Sequence, residues 1–246
     1  MKNNVLLLGG TGTLGSKIIK SKFFPNLKYP KKKILNILNK KQIENFLIKK
    51  KINLVLHCAA LARVKDCELN KSKAKKINVI GTQNIVKSIL KIKKTKKKDI
   101  KLVFISSDAV YASTRGSYKE TDKTSPYNIY GLTKLKGEKI VKKLKNYMII
   151  RTRFFDKKKI PFKYSAVNIY TSSLEVNKLV KYISILVKKK FQGIINVGGP
   201  KISDYKKYKK YKKSLKPCDK SKILNELNFK IATNASLNLN KLKKII

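Results

Sequence analysis

Short apolar runs alternate with amphipathic segments along most of the chain. The runs have the length of buried β-strands, and the segments between them carry apolar residues at the three- and four-residue spacing of a helix face. The predicted strands are Val5–Leu8, Asn53–His57, Lys101–Ile105, Tyr147–Arg151 and Ile194–Val197. The predicted helices are Thr13–Lys20, Asn39–Ile48, Lys71–Lys91, Pro126–Lys145 and Leu174–Lys189. This alternation predicts a parallel sheet with helices on both faces.

Two stretches depart from that pattern. Residues 23–33 are interrupted by Pro25 and Pro30, which leaves room for only a short second strand. Residues 198–246 are rich in lysine and predict short helices and loops.

The composition adds a strong positive charge. The chain has 61 Lys and Arg residues against 13 Asp and Glu residues, a formal net charge of +48. Such a balance suggests an anionic partner. However, only four of the basic residues are arginine, the side chain suited to bidentate phosphate contacts, and the lysines are spread over nearly every predicted helix. We therefore expect a solvated surface that attracts small anions, and no dedicated nucleic-acid partner.

Tyr205, Tyr208 and Tyr211 recur every three residues among lysines. They could stack nucleic-acid bases, but one face of an amphipathic helix is the favoured interpretation.

Cysteine and histidine are too few to suggest a metal site. The three cysteines form no Cys-x-x-Cys pair, and His57 is the single histidine. We interpret His57, Cys58 and Cys67 as packing residues. No apolar run reaches the ~20 residues of a membrane span, and the first residues do not resemble a signal peptide. We expect a cytoplasmic protein with no membrane partner.

The segment Gly9–Gly15, with the sequence GGTGTLG, lies between a predicted strand and a predicted helix. Glycines there permit a tight turn and close approach of a pyrophosphate, and the helix N-terminus offers free amides to its oxygens. The segment therefore predicts a Rossmann-like dinucleotide site. The residues expected to bind the cofactor are Gly9, Thr11, Gly12, Thr13, Leu14 and Gly15.

The cofactor preference depends on the residues that follow. An acidic ribose ligand is expected about 20 residues beyond such a loop, but this region holds Lys28, Lys31, Lys32 and Lys33 instead. A cation there, for which we choose Lys32, suits the 2′-phosphate of NADP. NADP(H) is therefore favoured over NAD(H), although these lysines could also belong to the general lysine excess.

A second group of residues has the chemistry of proton transfer. Tyr130 and Lys134 are four residues apart on a predicted helix, so they share one face. An ammonium beside a phenol lowers the pKa of the phenol and lets it exchange a proton near neutral pH. Ser107, at the end of a predicted strand, could hydrogen-bond the same substrate oxygen.

These motifs, together with others along the chain, resemble the extended short-chain dehydrogenase/reductase family. The additional matches are the segments His57–Ala60, Asn78–Asn84 and Ser106–Tyr111. The resemblance implies that Ala59, Ala60 and Asn78 lie beside the cofactor. It also implies that Tyr130 donates the proton, that Lys134 binds the nicotinamide ribose, and that Ser107 holds the substrate oxygen.

Within that family the chain most resembles the dTDP-4-dehydrorhamnose reductases. The segment from Tyr118 to Glu138 matches their Tyr-x-Glu-x-Asp and Pro-x-Asn-x-Tyr-Gly-x-x-Lys-Leu-x-Gly-Glu pattern, and Arg151-Thr152 is similar too. Sugar-nucleotide dehydratases of the family carry an Asp-Glu pair where this chain has Asp108-Ala109, so dehydration is not expected. The resemblance implies that Ser107, Asp108 and Arg151 contact the substrate.

The chain departs from that group at two places. Arg153-Phe154 stands where those reductases often have Ser-Trp. Arg63 and Lys65 replace smaller or acidic residues in the loop after the third main strand. Both departures affect the substrate side of the expected site.

The expected fold is α/β: a Rossmann-like doubly wound parallel sheet with a small C-terminal substrate-binding portion. We assign residues 1–151 to the dinucleotide-binding domain and expect 173–197 to return to it. Residues 152–172 and 198–246 would form the substrate-binding portion.

The expected function is NAD(P)H-dependent reduction of a keto group on a nucleotide-linked sugar, as in dTDP-rhamnose biosynthesis. The alternatives are an NAD-dependent nucleotide-sugar epimerase of the same family and a non-catalytic Rossmann binding or regulatory module. The identity of the sugar and of the nucleotide stays open, and so does the oligomeric state, for which a homodimer is one option.

Overall fold

The computed structural model describes residues 3–246 and is built on a six-stranded parallel sheet. The strands in chain order are β1 (Val5–Leu8), β2 (Leu27–Lys28), β3 (Leu54–His57), β4 (Lys101–Ile105), β5 (Tyr147–Thr152), β6 (Phe154–Phe155), β7 (Tyr164–Ala166), β8 (Tyr170–Thr171), β9 (Leu174–Glu175), β10 (Gly193–Val197), β11 (Ile202–Ser203), β12 (Lys216–Cys218) and β13 (Asn234–Ala235). The main sheet has the order β10-β5-β4-β3-β1-β2. It confirms the predicted parallel α/β fold.

Helices cover both faces of this sheet. They are α1 (Thr13–Ser21), α2 (Lys40–Lys49), α3 (Val64–Leu69), α4 (Lys71–Lys75), α5 (Gly81–Lys96), α6 (Ile129–Val141), α7 (Val176–Lys188), α8 (Asp204–Lys209), α9 (Lys220–Asn225) and α10 (Asn240–Lys243). Within the described residues, no helix is long and apolar enough to cross a membrane.

The longer strands of the main sheet are largely apolar because both of their faces are buried. In β1, Val5 and Leu7 pack into one core cluster with α1 and α7. Leu6 and Leu8 point the other way, into a second cluster with α2, α5 and α6. Helices α1 and α7 bury their apolar stripes against the first cluster, and α2, α5 and α6 bury theirs against the second.

Strand β1 lies between β2 and β3, so the winding of the sheet reverses at β1. The chain leaves β1 toward one face and β3 toward the other, which opens a crevice at the carboxyl edge of the sheet. The short second strand allowed by the sequence is β2. It has only two residues, which pair with Val5 and Leu6.

Two predicted helices differ from their observed bounds by more than two residues. The helix predicted from Pro126 begins at Ile129, because the Asn128 side chain caps it by accepting from the Gly131 amide at 2.8 Å. The helix predicted over Lys71–Lys91 is interrupted by a π-helical turn, Lys76–Ile80, between α4 and α5. Such turns are frequent at functional sites.

The C-terminal third adds small sheets beside the main one. Strand β8 pairs antiparallel with β11 and parallel with β13, while β7 pairs with β12 and β6 with β9. Helix α7 and strand β10 lie in the main α/β layers. The division into a cofactor domain and a substrate portion stays a prediction.

Candidate active site

A cleft of about 510 Å³ lies at the carboxyl edge of the sheet, beside the strand reversal. The glycine segment, the ends of β3, β4 and β5, the start of α6 and the C-terminal segments line it. The lining residues are Gly9, Gly12, Thr13, Leu14, Gly15, Cys58, Ala60, Ala62, Val64, Ile105, Ser106, Ser107, Asp108, Ala109, Tyr127, Asn128, Tyr130, Lys134, Thr152, Arg153, Phe154, Ile169, Asp204, Tyr208, Ile231 and Ala232.

The glycine loop is shaped by close backbone contacts. Gly9 has a φ of +89°, and a Cβ there would lie 2.6 Å from the amide nitrogen of Ala59. A Cβ on Gly15 would lie 2.2 Å from the carbonyl oxygen of Gly9. Only glycine fits at either position, and Ala59 forms the wall behind the loop.

The start of α1 fits an anionic group. Gly12 is the N-cap of this nine-residue helix, and no side chain caps the amides of its first turn. A Cβ on Gly12 would approach only the Gly9 carbonyl oxygen, at 3.4 Å. The helix therefore presents unpaired amides to an open cleft, as a pyrophosphate requires. Thr11 is exposed and lies outside the cleft lining.

The structure brings Ser107, Tyr130 and Lys134 together in this cleft. Burial raises the pKa of the Tyr130 phenol to about 12, with the Ser107 hydroxyl acting to lower it. Burial also lowers the pKa of Lys134 to about 8, and the Glu138 carboxylate opposes that shift. The Lys134 Nζ lies 4.0 Å from the centre of the Phe104 ring.

The expected lowering of the phenol pKa is not what this arrangement shows. Removal of the Tyr130 phenol from water outweighs the Ser107 hydrogen bond and the charge of Arg153, so its pKa rises. A neutral phenol holds the proton that a reduction consumes.

Ser107 is held by two neighbours in the 3₁₀ turn that follows β4. Its hydroxyl donates to Asp108 Oδ1 at 3.1 Å and accepts from the Ala109 amide at 3.1 Å. The other carboxylate oxygen of Asp108 accepts from Arg153 Nε at 2.7 Å. A chain of polar contacts therefore runs from Arg153 to the Ser107 hydroxyl.

Asn78 supports the cleft from behind. It lies in the π-helical turn, is 2% exposed, and pairs with both the amide and the carbonyl of Leu61 at 2.8 and 3.1 Å. Its amide also donates to Thr133 Oγ1 at 3.0 Å. Asn78 thereby ties the loop after β3, which carries the cleft residues Ala60 and Ala62, to α6.

His57 and Cys67 are buried packing residues outside the cleft lining. His57 is 1% exposed, and its Nε2 lies 3.0 Å from Thr82 Oγ1. The Thr82 hydroxyl donates to the Asn78 carbonyl, so Nε2 of His57 carries the donating proton. Burial lowers the pKa of His57 to about 3. Cys67 is fully buried, whereas Cys58 is only partly buried and lines the cleft.

Arg151 does not reach the cleft. It is 2% exposed, its Nη2 lies 2.8 Å from Glu138 Oε2, and its Nε lies 3.1 Å from Glu138 Oε1. Its Nη1 donates to the Tyr111 hydroxyl and the Glu120 carbonyl at 2.8 and 3.1 Å. With every nitrogen bonded, Arg151 holds strands and loops together instead of meeting a substrate.

Lys32 also lies outside the cleft lining and is exposed. Lys28 is nearer the glycine loop, because it ends β2 and pairs with Leu6 of β1. The next residue, Tyr29, lies close to the glycine loop, since a Cβ on Gly10 would be 3.6 Å from the Cβ of Tyr29.

Several lining residues could not be found from the sequence. Tyr127, Asp204, Tyr208, Ile231 and Ala232 come from loops and from the C-terminal third. For Tyr208 the regular tyrosine spacing is the signal in the sequence, and it favours one face of a helix. Helix α8 ends at Lys209, before Tyr211, and its buried side chain is Lys207.

The strand order, the glycine loop and the Ser, Tyr and Lys side chains at the carboxyl edge define a Rossmann-like protein of the extended short-chain dehydrogenase/reductase class. The family model described as RmlD substrate binding domain matches residues 1–175. The chain therefore belongs to that family.

Curated relatives match a little over half of the chain. The chain is 32% identical over 147 residues to the methionine adenosyltransferase 2 subunit beta of Bos taurus, covering 56% of this chain and 42% of that protein. It is 28% identical over 151 residues to a dTDP-4-dehydrorhamnose reductase of Aggregatibacter actinomycetemcomitans, covering 59% of this chain and 49% of that protein. The matches thus span less than half the length of these relatives.

Solved structures match nearly the whole chain. A hypothetical dTDP-4-dehydrorhamnose reductase of Sulfolobus tokodaii has a TM-score of 0.81 at 28% identity, covering 99% of this chain and 94% of that one. The dTDP-4-dehydrorhamnose reductase of Bacillus anthracis in complex with NADP has a TM-score of 0.87 at 24% identity, covering 99% and 93%. The latter match shows the shared fold.

Proposed function

We propose that this protein is an NADP(H)-dependent reductase of a keto group on a nucleotide-linked sugar. The observation that carries the proposal is the presence of the glycine loop and of Ser107, Tyr130 and Lys134 in one cleft. The similarity to the dTDP-4-dehydrorhamnose reductase of Aggregatibacter and to the hypothetical dTDP-4-dehydrorhamnose reductase of Sulfolobus supports the same substrate class.

The residues of the cleft have separate roles in this proposal. Gly9, Gly12 and the first amides of α1 would hold the pyrophosphate of the cofactor, whose nicotinamide would supply the hydride. The neutral Tyr130 phenol donates its proton to the substrate oxygen. The Ser107 hydroxyl rotates so that it donates a hydrogen bond to that oxygen instead of to Asp108. Lys134 stabilises the Tyr130 phenolate that remains.

The preference for NADP rests on charge. No acidic residue lies between Gly15 and Lys33, where an acidic ribose ligand would be expected, and Lys28 ends β2 beside the glycine loop. Lys28, with Lys31 and Lys32 in the turn that follows, would attract the 2′-phosphate.

The test is a titration of the purified protein with NADPH and with NADH, followed by turnover of a panel of nucleotide 4-keto sugars. The fluorescence of the reduced nicotinamide reports binding directly. Tighter binding of NADPH, with its oxidation by one sugar, is the expected result. Absence of binding to either cofactor would rule out the proposal.

The Tyr130→Phe variant tests the proton donor. We expect turnover to fall about 100-fold or more while the Kd for NADPH changes little, because the phenol acts on the substrate oxygen. Full activity in this variant would show that another group donates the proton.

A second candidate function is a non-catalytic subunit. It is favoured by the 32% identity to a protein named as a subunit of methionine adenosyltransferase. Cofactor binding without turnover of any sugar in the panel would favour this candidate. A tightly retained cofactor with sugar interconversion but no net oxidation would instead indicate an epimerase.

A further inference from the structure

Very few cations reach the cleft of this highly basic protein. The chain has 61 Lys and Arg residues, yet the described cleft lining contains only two, Lys134 and Arg153. Lys134 stands with Tyr130 on α6. Arg153 follows β5 on the side of the cleft formed by the C-terminal segments, which makes it the cation available to a substrate.

Arg153 keeps most of its donors unused. Its Nε donates to Asp108 Oδ2, and its two terminal nitrogens have no acceptor among the described residues. The side chain is 33% exposed, and the residue lines the cleft. Arg151, two residues earlier, contrasts with it because all of its nitrogens are bonded.

The backbone and the neighbouring charges hold Arg153 in place. The Leu174 amide donates to the Arg153 carbonyl at 2.9 Å. Nearby, Lys207 is buried and pairs with Asp204 and with Thr171 Oγ1. The Asp204 carboxylate also favours the charged form of Arg153 and raises its pKa. Asp108 restrains Arg153 through one nitrogen and leaves the other two free.

We propose that Arg153 is a specificity-determining residue that binds an oxyanion of the substrate beside Ser107 and Tyr130. The paired terminal nitrogens of a guanidinium match the two oxygens of a phosphoryl or carboxylate group. The proposal rests on the proposed function for the reacting sugar. Two sources of the oxyanion are consistent with it, namely the diphosphate of the nucleotide and a carboxylate on the sugar.

The test measures anion binding without turnover. The full-length protein, saturated with NADP⁺ to block the glycine loop, is titrated calorimetrically with inorganic pyrophosphate and separately with D-glucuronate, with D-glucose as the neutral probe. The Arg153→Met variant keeps the apolar stem and removes the charge. We expect it to weaken binding of one anion at least tenfold, while glucose binding does not change.

The matched control is Arg115→Met, which removes an exposed arginine paired with Asp122 outside the cleft lining. It should leave both anion affinities unchanged despite the same loss of net charge. A selective loss for pyrophosphate in Arg153→Met identifies the diphosphate, and a selective loss for glucuronate identifies a sugar carboxylate. Equal affinities in the two arginine variants would overturn the proposal.

Asp108→Asn is an independent variant in case Arg153→Met does not fold. It removes the carboxylate that competes for Arg153, so anion binding should tighten several-fold. Unchanged or weaker binding there would also overturn the proposal. Because NADP⁺ binding is measured first, a failure of the cofactor site is distinguished from a failure at Arg153.

Discussion

His57 shows how a single buried side chain links the fold to pH. It packs against Phe104, with ring centres 5.5 Å apart, and donates to Thr82 in the uncharged state. Its environment offers no carboxylate to pair with an imidazolium: the charged group that acts on it is Lys134, which also disfavours the charged form. Protonating His57 in the folded state therefore opposes folding.

The consequence is a loss of stability in acid. The pKa of His57 is lowered from 6.5 to about 3 in the folded state, so between these values the unfolded chain binds more protons. The free energy of unfolding should fall by roughly 1.4 kcal/mol per pH unit as the pH drops below about 6.5. Urea unfolding of the wild type and of His57→Gln, which keeps an N–H donor, measures the difference. Equal pH slopes in both proteins would show that His57 does not carry this effect.

Arg151 and Glu138 form a buried ion pair whose members depend on each other. Both side chains are almost fully buried, and Ser106 adds a hydrogen bond to Glu138 Oε1 at 2.6 Å. Replacing Arg151 by Met leaves a carboxylate without its counter-ion, which typically costs about 3–5 kcal/mol.

We therefore expect Arg151→Met to lower the free energy of unfolding by that amount in denaturant titrations. Arg115→Met, at an exposed ion pair, should change it by less than about 1 kcal/mol. Wild-type stability in Arg151→Met would mean that the pair is replaced by another contact, and would reopen a role for Arg151 in binding.

At the residue scale, the sequence predicted positions better than roles. Ser107, Tyr130 and Lys134 lie in one cleft because strand ends and the start of α6 meet at one edge of the sheet. The sequence predicts that Arg151 contacts the substrate, but its side chain lies in the core. The sequence alone does not show that all of its N–H donors are already bonded. Arg153, noted only as a departure from a family pattern, lines the cleft instead.

At the scale of elements, the turn from β1 into α1 is the tightest point of the cofactor side. Gly15 lies against the Gly9 carbonyl with no space for a methyl group, whereas Gly12 faces the open cleft. The two glycines therefore have different functions in the same turn.

The matched variants Gly15→Ala and Gly12→Ala should separate packing from binding. The methyl group of Gly15→Ala would collide with the backbone at Gly9 and push the start of α1 away from it. This variant should therefore lower the free energy of unfolding by about 2 kcal/mol or more. Gly12→Ala should leave stability nearly unchanged but weaken NADPH binding, because its methyl group occupies the path of the pyrophosphate. Thermal unfolding and NADPH titration of both variants measure this, and equal behaviour of the two would contradict the assignment.

The main strands and the long amphipathic helices were predictable, whereas the short strands of the C-terminal third were not. Strands β1, β3, β4 and β5 stand out in the sequence because each contains a run of three or four consecutive apolar residues, and β10 because three of its five residues are apolar. The strands of two or three residues in the C-terminal third have too little local pattern to be found, since they are fixed by tertiary pairing. The π-helical turn was not predictable either, because one extra residue hardly disturbs the apolar period of a helix. Asn78 lies in this turn and contacts Leu61 in the loop after β3.

For the molecule as a whole, the net charge of +48 is distributed on the surface rather than neutralised there. The described residues contain eight ion pairs, each using a different cation, so most of the 61 Lys and Arg residues have no acidic partner. Mutual repulsion among the lysines opposes the compact state. The same field should concentrate anionic ligands near the cleft.

This repulsion predicts that salt stabilises the protein. Raising NaCl from about 20 mM to about 500 mM shortens the Debye length from roughly 20 Å to roughly 4 Å, which screens repulsion between separated lysines more than it weakens contacts between buried pairs. The melting temperature should therefore rise by several degrees, and the affinity for NADPH should fall over the same range. Scanning calorimetry in NaCl and in KCl separates screening from binding of a particular cation, because screening depends only on ionic strength. A melting temperature that falls with salt would mean that the eight ion pairs outweigh the unpaired lysines, and that the surface charge is better compensated than its composition suggests.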